Sequence, residues 1–389
     1  MDKGFLEIKK ANLNDLMQSV FTESVCKDET VAFMETDGEK TLLFPIESII
    51  SVTSYDGETA YREGVDFAVV NGNLVLLEGS SIPRMSLERY YHHTNTSLRT
   101  MWNGVETPTL WGEGELSPYQ VKVTYRHGEK WDGFLQESYC EVYADFIRKL
   151  QNGENVTVFF AGDSITLGAS ASWIMGTKPY QLSYPILFVQ ALADLFGYTV
   201  HFEPANLEKT ASVPKNDHVA GDRGIITYVN TGVGGWNSVQ GVEHSNEYIV
   251  DKAKAYGCDL FVIGYGMNDV GHAPAVTRAN VKAMADAVLN VAPHAAVAIL
   301  ATMVPNPAGI GWYGNQYKQE PELLGLAEEY RRAGVACGVC RMTSISLSVL
   351  KRKIFHDYSG NNINHPNDFF VRLYAQAMLQ TVIGYENMK

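Results

Sequence analysis

From Val156 onward, short apolar runs alternate with amphipathic runs of helical spacing, and this alternation constrains the fold more than any other feature. Residues 156–161, 225–230, 260–264 and 295–303 read as strands buried on both faces. Residues 184–196, 245–256, 276–292, 320–333 and 369–383 carry apolar side chains at helical period. A strand buried on both faces needs helices above and below it. The pattern therefore predicts an α/β fold with a parallel sheet between two helical layers. Ligands in such sheets collect beyond the carboxyl ends of the strands, so the residues after each strand matter most.

The first third of the chain has a different texture. Apolar or alternating runs at 41–50, 65–70, 73–77 and 119–125 are separated by turn residues, and Asn71-Gly72 sits between two of them as a hairpin signal. These runs predict a β-rich, sandwich-like unit over residues 1–133, with the α/β unit spanning 134–389. A helix is expected over 134–150, stopped by Asn152-Gly153. The aromatic stretch from Tyr90 to His93, with Trp111, fits a sugar-binding face, a wall of a cleft, a homo-oligomer interface or plain packing. Packing is the expectation, and adjacent strand residues such as His92 and His93 would not share one metal ion.

Composition excludes several classes. The 389 residues carry 31 basic and 44 acidic side chains, a net charge of −13, with no block that gathers the cations. Nucleic acid or an anionic membrane surface is therefore not the expected partner. No apolar run reaches the length of a membrane span, and charges interrupt the first ten residues, so a cytoplasmic protein is expected. Five scattered cysteines do not form a disulfide framework, and the lone Cys337–Cys340 pair reads as buried thiols.

Chemistry-bearing residues recur at the strand ends. Gly162-Asp163-Ser164 follows the first strand, where a serine on a tight turn into a helix presents its hydroxyl among free backbone N–H groups. After the second strand comes a glycine-rich loop in which Gly235 is the best candidate for an anion-facing N–H. Asn268, after the third, fits either a helix cap or an amide donor to a developing oxyanion. His365-Pro366 precedes the last helix on a polar loop, at the right end of the sheet for a base.

Taken in this order, Gly-Asp-Ser, Gly, Gly-x-Asn-Asp and a late His-Pro resemble the SGNH/GDSL hydrolase family over roughly residues 150–389. The resemblance implies a flavodoxin-like three-layer fold and ester hydrolysis without metal or cofactor. It makes Ser164 the nucleophile and His365 its base. The Ser164 and Gly235 N–H groups and the Asn268 side chain would form the oxyanion hole. One position departs from the pattern: where the family places an aspartate three residues before the histidine, this chain has Asn362. Three readings stay open. Asn362 or a backbone carbonyl orients His365, another acid such as Asp357 or Asp368 takes the place, or the site is impaired. A working dyad or a relocated acid is the expectation.

Substrate expectations come from the strand-end loops, where Trp236, Asn306 and Trp312 put aromatic faces beside amides, with Asp163 counted among the substrate contacts. Such surfaces suit sugar rings, which offer C–H faces and hydroxyl edges. Within the family, a two-domain chain with a β-rich N-terminal unit resembles the carbohydrate acetylesterases. An oligosaccharide or other small ester, acetylated as in xylan or mannan fragments, is thus the expected substrate. A lipase- or thioesterase-like acylhydrolase and a non-catalytic carbohydrate-binding protein are the alternatives.

Overall fold

The computed structural model describes residues 14–91, 101–102, 105–106, 108 and 111–388; His92 and His93 lie outside them. Its centre is a seven-stranded sheet ordered His218–Val219, Thr199–Glu203, Ile225–Asn230, Val156–Gly162, Leu260–Gly264, Ala296–Ala301 and Cys337–Arg341. All pairings are parallel except that of His218–Val219, which closes one edge. Every residue of Val156–Gly162, Leu260–Gly264 and Ala296–Ala301 is buried, as strands covered on both faces require. Without the two outermost strands at the His218–Val219 edge, the order is the 2-1-3-4-5 of a flavodoxin-like sheet. The strand order reverses between Val156–Gly162 and Leu260–Gly264, so the loops that follow these two strands flank the switch-point crevice.

Helix Tyr184–Phe196 matches its expected span, and Pro274–Val291, Gln319–Arg332 and Asp368–Val382 lie within two residues of theirs. The expected helix over 134–150 begins only at Ala144. Tertiary hydrogen bonds hold the preceding residues out of helix: the Phe134 N–H donates to Ser348 Oγ at 3.0 Å and the Tyr139 N–H to the Thr381 carbonyl at 2.9 Å. The stretch over 245–256 divides into a π-helical turn, Asn246–Val250, and helix Asp251–Tyr256. The Cys337–Cys340 segment is the far strand of the sheet, and all five cysteines are buried and unbridged.

The N-terminal region is β-rich. Strands Ala60–Tyr61, Ser48–Ser54, Gln120–Arg126, Val25–Met34 and Arg84–Met85 form one sheet in that order, antiparallel except at the last pair. Strands Phe67–Val70 and Asn73–Leu76 form the expected hairpin, with Asn71 and Gly72 both at positive φ, 51° and 79°, as a type I′ turn requires. The ten-residue strand Val25–Met34 escaped the sequence reading because Lys27, Asp28 and Glu29 interrupt its apolar pattern. Glu29 is nevertheless fully buried, accepting from Lys353 at 2.6 Å, Tyr125 at 2.6 Å and the Leu43 N–H at 2.9 Å.

This N-terminal sheet packs against the segment that carries His365. One apolar cluster runs from Val31, Phe33 and Phe44 through Tyr143 and Phe146 to Phe355, Tyr358 and Phe370. Buried hydrogen bonds fix the register: Ala32 N–H to Asp357 at 2.9 Å, Gln120 to the His356 and Ser359 carbonyls at 2.8 Å each, and Asn367 to Thr30 at 2.9 Å. Each such bond, once buried, costs about 1–3 kcal/mol to leave unmade. Residues 355–368 are therefore set by both parts of the chain.

Candidate active site

Ser164 opens the short helix Ser164–Leu167 directly after the strand Val156–Gly162. Gly162 allows that sharp exit, since a Cβ there would lie 2.3 Å from Thr166 Oγ1 and 2.4 Å from the Gly264 carbonyl. Asp163 is the helix cap, accepting from the Ile165 N–H at 3.0 Å. Its other oxygen accepts from the Met267 N–H at 3.4 Å, which ties the serine turn to the loop bearing Asn268. Asp163 is 1% exposed and turned inward, so the expected substrate contact gives way to a structural tie.

Burial pushes the Asp163 carboxyl up to about 7, against the pull of the Ile165 N–H and the His365 side chain. An acid raised in the fold contributes most below its ordinary value of 3.8, and that contribution is lost as pH rises toward about 7. Asp163→Asn is therefore expected to flatten the fall of Tm with pH across this window. A Tm–pH curve parallel to that of the parent protein would contradict the assignment.

His365 sits on a loop organised by its neighbour Asn361. The Asn361 Oδ1 accepts from the N–H groups of Ile363, Asn364 and His365 at 3.0–3.1 Å, and the Gly360 N–H donates to the His365 carbonyl at 2.9 Å. The imidazole Nε2 lies 2.8 Å from Ser164 Oγ. Its Nδ1 lies 2.6 Å from Oε1 of Glu113, a residue of the N-terminal region that the sequence reading did not single out. An ionised carboxylate only accepts, so Nδ1 carries the proton and Nε2 is left to accept from the serine hydroxyl.

Glu113 is held from two sides. Its second oxygen accepts from the Ser170 hydroxyl, and the Trp111 N–H donates to the Asn361 carbonyl at 3.0 Å, docking the loop on the histidine's own turn. Burial alone would raise the Glu113 carboxyl; the hydrogen bonds from His365 and Ser170 and the histidine's charge outweigh it and hold the group below the usual carboxylate range. Its side chain remains 42% exposed.

The acids weighed from sequence lie elsewhere. Asn362 is fully buried at φ 66°, and both its carbonyl and its side-chain oxygen accept from Asn306. It does not orient His365. Asp357 accepts from the Ala32 and Ile354 N–H groups, and Asp368 from the Ser172 N–H. Asn306 itself is 3% exposed and spent on Asn362, so it supports the histidine loop instead of meeting substrate.

The candidate oxyanion donors Gly235 and Asn268 stand on the loops after the two strands that flank Val156–Gly162. Asn268 gives one amide hydrogen to the Trp236 carbonyl at 2.9 Å, and among the described residues none accepts the second. Gly235 comes two residues after Val233, whose N–H extends the sheet pairing to the Gly162 carbonyl at 3.0 Å, and its Cα faces open space. Ser164 is the first residue of its helix, where the N–H has no intrahelical acceptor. Behind them, buried Asp269 accepts from both the N–H and the hydroxyl of Ser238 and from His272, bracing the two loops. The Trp236 ring is 7% exposed and stacks on His244 at 4.7 Å, so it supports the loop and presents little face to a ligand. Trp312, half-buried, lies on a loop stitched to both neighbours: Asn306 N–H to the Ile363 carbonyl at 2.7 Å, and Gln316 to the Met267 carbonyl at 3.0 Å.

Glycine on both sides of Glu113 in Trp111-Gly112-Glu113-Gly114 is the one local sign that this carboxylate occupies a tight loop. Nothing in its spacing links it to His365, 252 positions away.

Residues 158–337 match the family model described as GDSL-like Lipase/Acylhydrolase. Glu113 and His365 both fall outside the matched segment. No curated protein sequence matches the chain significantly. Among solved structures, a two-domain esterase active on acetylated mannans is 17% identical with a TM-score of 0.43, covering 62% of this chain and 53% of its own. This chain thus spans about half the length of that esterase. The acetyl xylan esterase AlAXEase is 16% identical with a TM-score of 0.40, covering 58% of this chain and 98% of its own. A GDSL-like lipase from Bacteroides thetaiotaomicron VPI-5482 is 14% identical with a TM-score of 0.35, covering 62% of this chain and 95% of its own.

Proposed function

We propose that this chain, whose residues 158–337 match the GDSL-like lipase/acylhydrolase model, is a serine ester hydrolase that removes acetyl groups from carbohydrates. The reading rests on one observation: Ser164 Oγ, His365 and Glu113 form a continuous hydrogen-bonded line, 2.8 Å and then 2.6 Å long. His365 Nε2 takes the hydroxyl proton as Ser164 Oγ bonds to the ester carbon. The carbonyl oxygen, now negative, meets the Ser164 and Gly235 N–H groups and the free amide hydrogen of Asn268. Collapse breaks the bond to the alcohol, which leaves with the proton from His365, and the acyl group stays on Ser164. Water then attacks that acyl carbon, passing its proton to His365, and the serine leaves with it as the acid departs. Throughout, the Glu113 carboxylate faces the imidazolium that each step creates.

Support for a sugar substrate comes from the loop between the Asn268 and His365 turns. It carries half-buried Trp312 and the stacked pair Tyr313 and Tyr317, whose rings lie 5.5 Å apart at 9°, with Tyr317 39% exposed. Flat aromatic faces of this kind match the C–H faces of sugar rings. Acetate release from acetylated xylo- or manno-oligosaccharides tests the reading directly. A chain-length series of nitrophenyl esters is expected to peak at acetyl. Activity peaking at eight or more carbons would turn the assignment to a lipase-like acylhydrolase.

A further inference from the structure

Ser170 stands in a conformation that serine rarely adopts. Its φ is +64°, in the left-handed region, and it is fully buried. A non-glycine residue held there is strained and persists only where the surroundings enforce it. The enforcing contacts come from the active site itself. The preceding residue donates its N–H to the Ser164 carbonyl at 2.9 Å, so Ser170 belongs to the nucleophile's own turn. On its other side lies Gly360, where an added Cβ would sit 2.3 Å from the Ser170 Cβ. Gly360 in turn donates to the His365 carbonyl at 2.9 Å. The hydroxyl so placed donates to Glu113 Oε2, while Oε1 of the same carboxylate accepts from His365 Nδ1.

We infer that Ser170 is the positioning residue for Glu113: it fixes the carboxylate plane so that Oε1 stays on the histidine. The need for such a residue follows from the architecture. Glu113 reaches the site from a separate part of the chain and leaves 42% of its side chain exposed, so water competes for it. A second, buried donor on the other oxygen removes the freedom to rotate away. The left-handed backbone is what aims that donor, and Gly360 is what makes room for it. This inference rests on the ester hydrolase reading, but its geometry belongs to the resting protein.

Two variants test it. Ser170→Ala removes the hydroxyl and keeps the left-handed backbone; Ser170→Gly removes the hydroxyl and relieves the backbone. Both are expected to lower kcat on nitrophenyl acetate by about tenfold to a hundredfold, the range of a charge-assisted hydrogen bond, with KM nearly unchanged. Ser170→Gly is expected to melt no lower than Ser170→Ala, so the lost rate does not follow lost stability. In a Glu113→Gln background, Ser170→Ala should add little, because the residue it positions is already disabled. A full additional loss there, or parental kcat in both single variants, would overturn the assignment. The low-field proton resonance of His365 Nδ1–H gives a readout that needs no turnover. It should move upfield in both single variants. An unchanged resonance would overturn the positioning role whether or not the protein hydrolyses any ester, which separates failure of this inference from failure of the functional reading.

Discussion

Ser164→Ala is expected to abolish ester hydrolysis, lowering kcat by about 10⁴-fold or more, while leaving the fold intact. The hydroxyl is the only group at the head of the 2.8 Å and 2.6 Å relay that can bond to an acyl carbon. Its removal leaves His365 with a proton acceptor and nothing to deprotonate. Structurally the change is small, because among the described residues the Ser164 side chain forms a single hydrogen bond, worth about 1 kcal/mol. Helix capping at this turn belongs to Asp163 and survives the substitution. Residual activity would come from the oxyanion donors alone. Kinetics on nitrophenyl acetate beside a thermal melt measures both halves of this expectation. A variant that keeps more than about a hundredth of the parental rate would remove Ser164 from the chemistry.

Glu113→Gln should be nearly as severe, at about 10³–10⁴-fold in kcat, the scale of losing the carboxylate behind a catalytic histidine. Glutamine keeps the shape but lacks the charge that stabilises an imidazolium, and its amide can donate toward Nδ1 and favour the wrong tautomer. The control is Asn362→Asp, which restores the acid at the position where the family pattern has one. Asn362 is fully buried and bonded to Asn306, so the new charge would be desolvated away from His365. That variant is expected to lose stability and gain no activity. If Asn362→Asp instead rescued Glu113→Gln, the N-terminal acid would be dispensable.

The contrast between these two positions shows what a sequence conveys and where it stops. Strands such as Leu260–Gly264 and helices such as Tyr184–Phe196 were legible because burial on both faces and an amphipathic stripe each leave a local period. Ser164, Gly235 and Asn268 were placed by their position after strands, His365 by its loop before the last helix, and all four by family resemblance; the fold brings the serine and histidine into hydrogen-bond contact. Glu113 left no such trace, since its partner is 252 residues away and reached only through tertiary packing. Val25–Met34 was hidden for a related reason. Its Glu29 looks like a surface charge until Lys353, 324 residues later, pairs with it in the core. Asn306 and Trp236 were read as ligand contacts from residue type, whereas burial commits both to supporting loops.

The unmatched N-terminal residues therefore take on a chemical meaning: they deliver one of the three groups in the relay and pack the turn that carries another. The most direct test of this account is labelling with a fluorophosphonate, followed by peptide mass spectrometry to locate the adduct. The account predicts one adduct on Ser164 in the parent protein, formed far more slowly in Glu113→Gln and absent in Ser164→Ala. A folded parent protein that forms no adduct at Ser164, or a Glu113→Gln variant labelled at the parental rate, would contradict it.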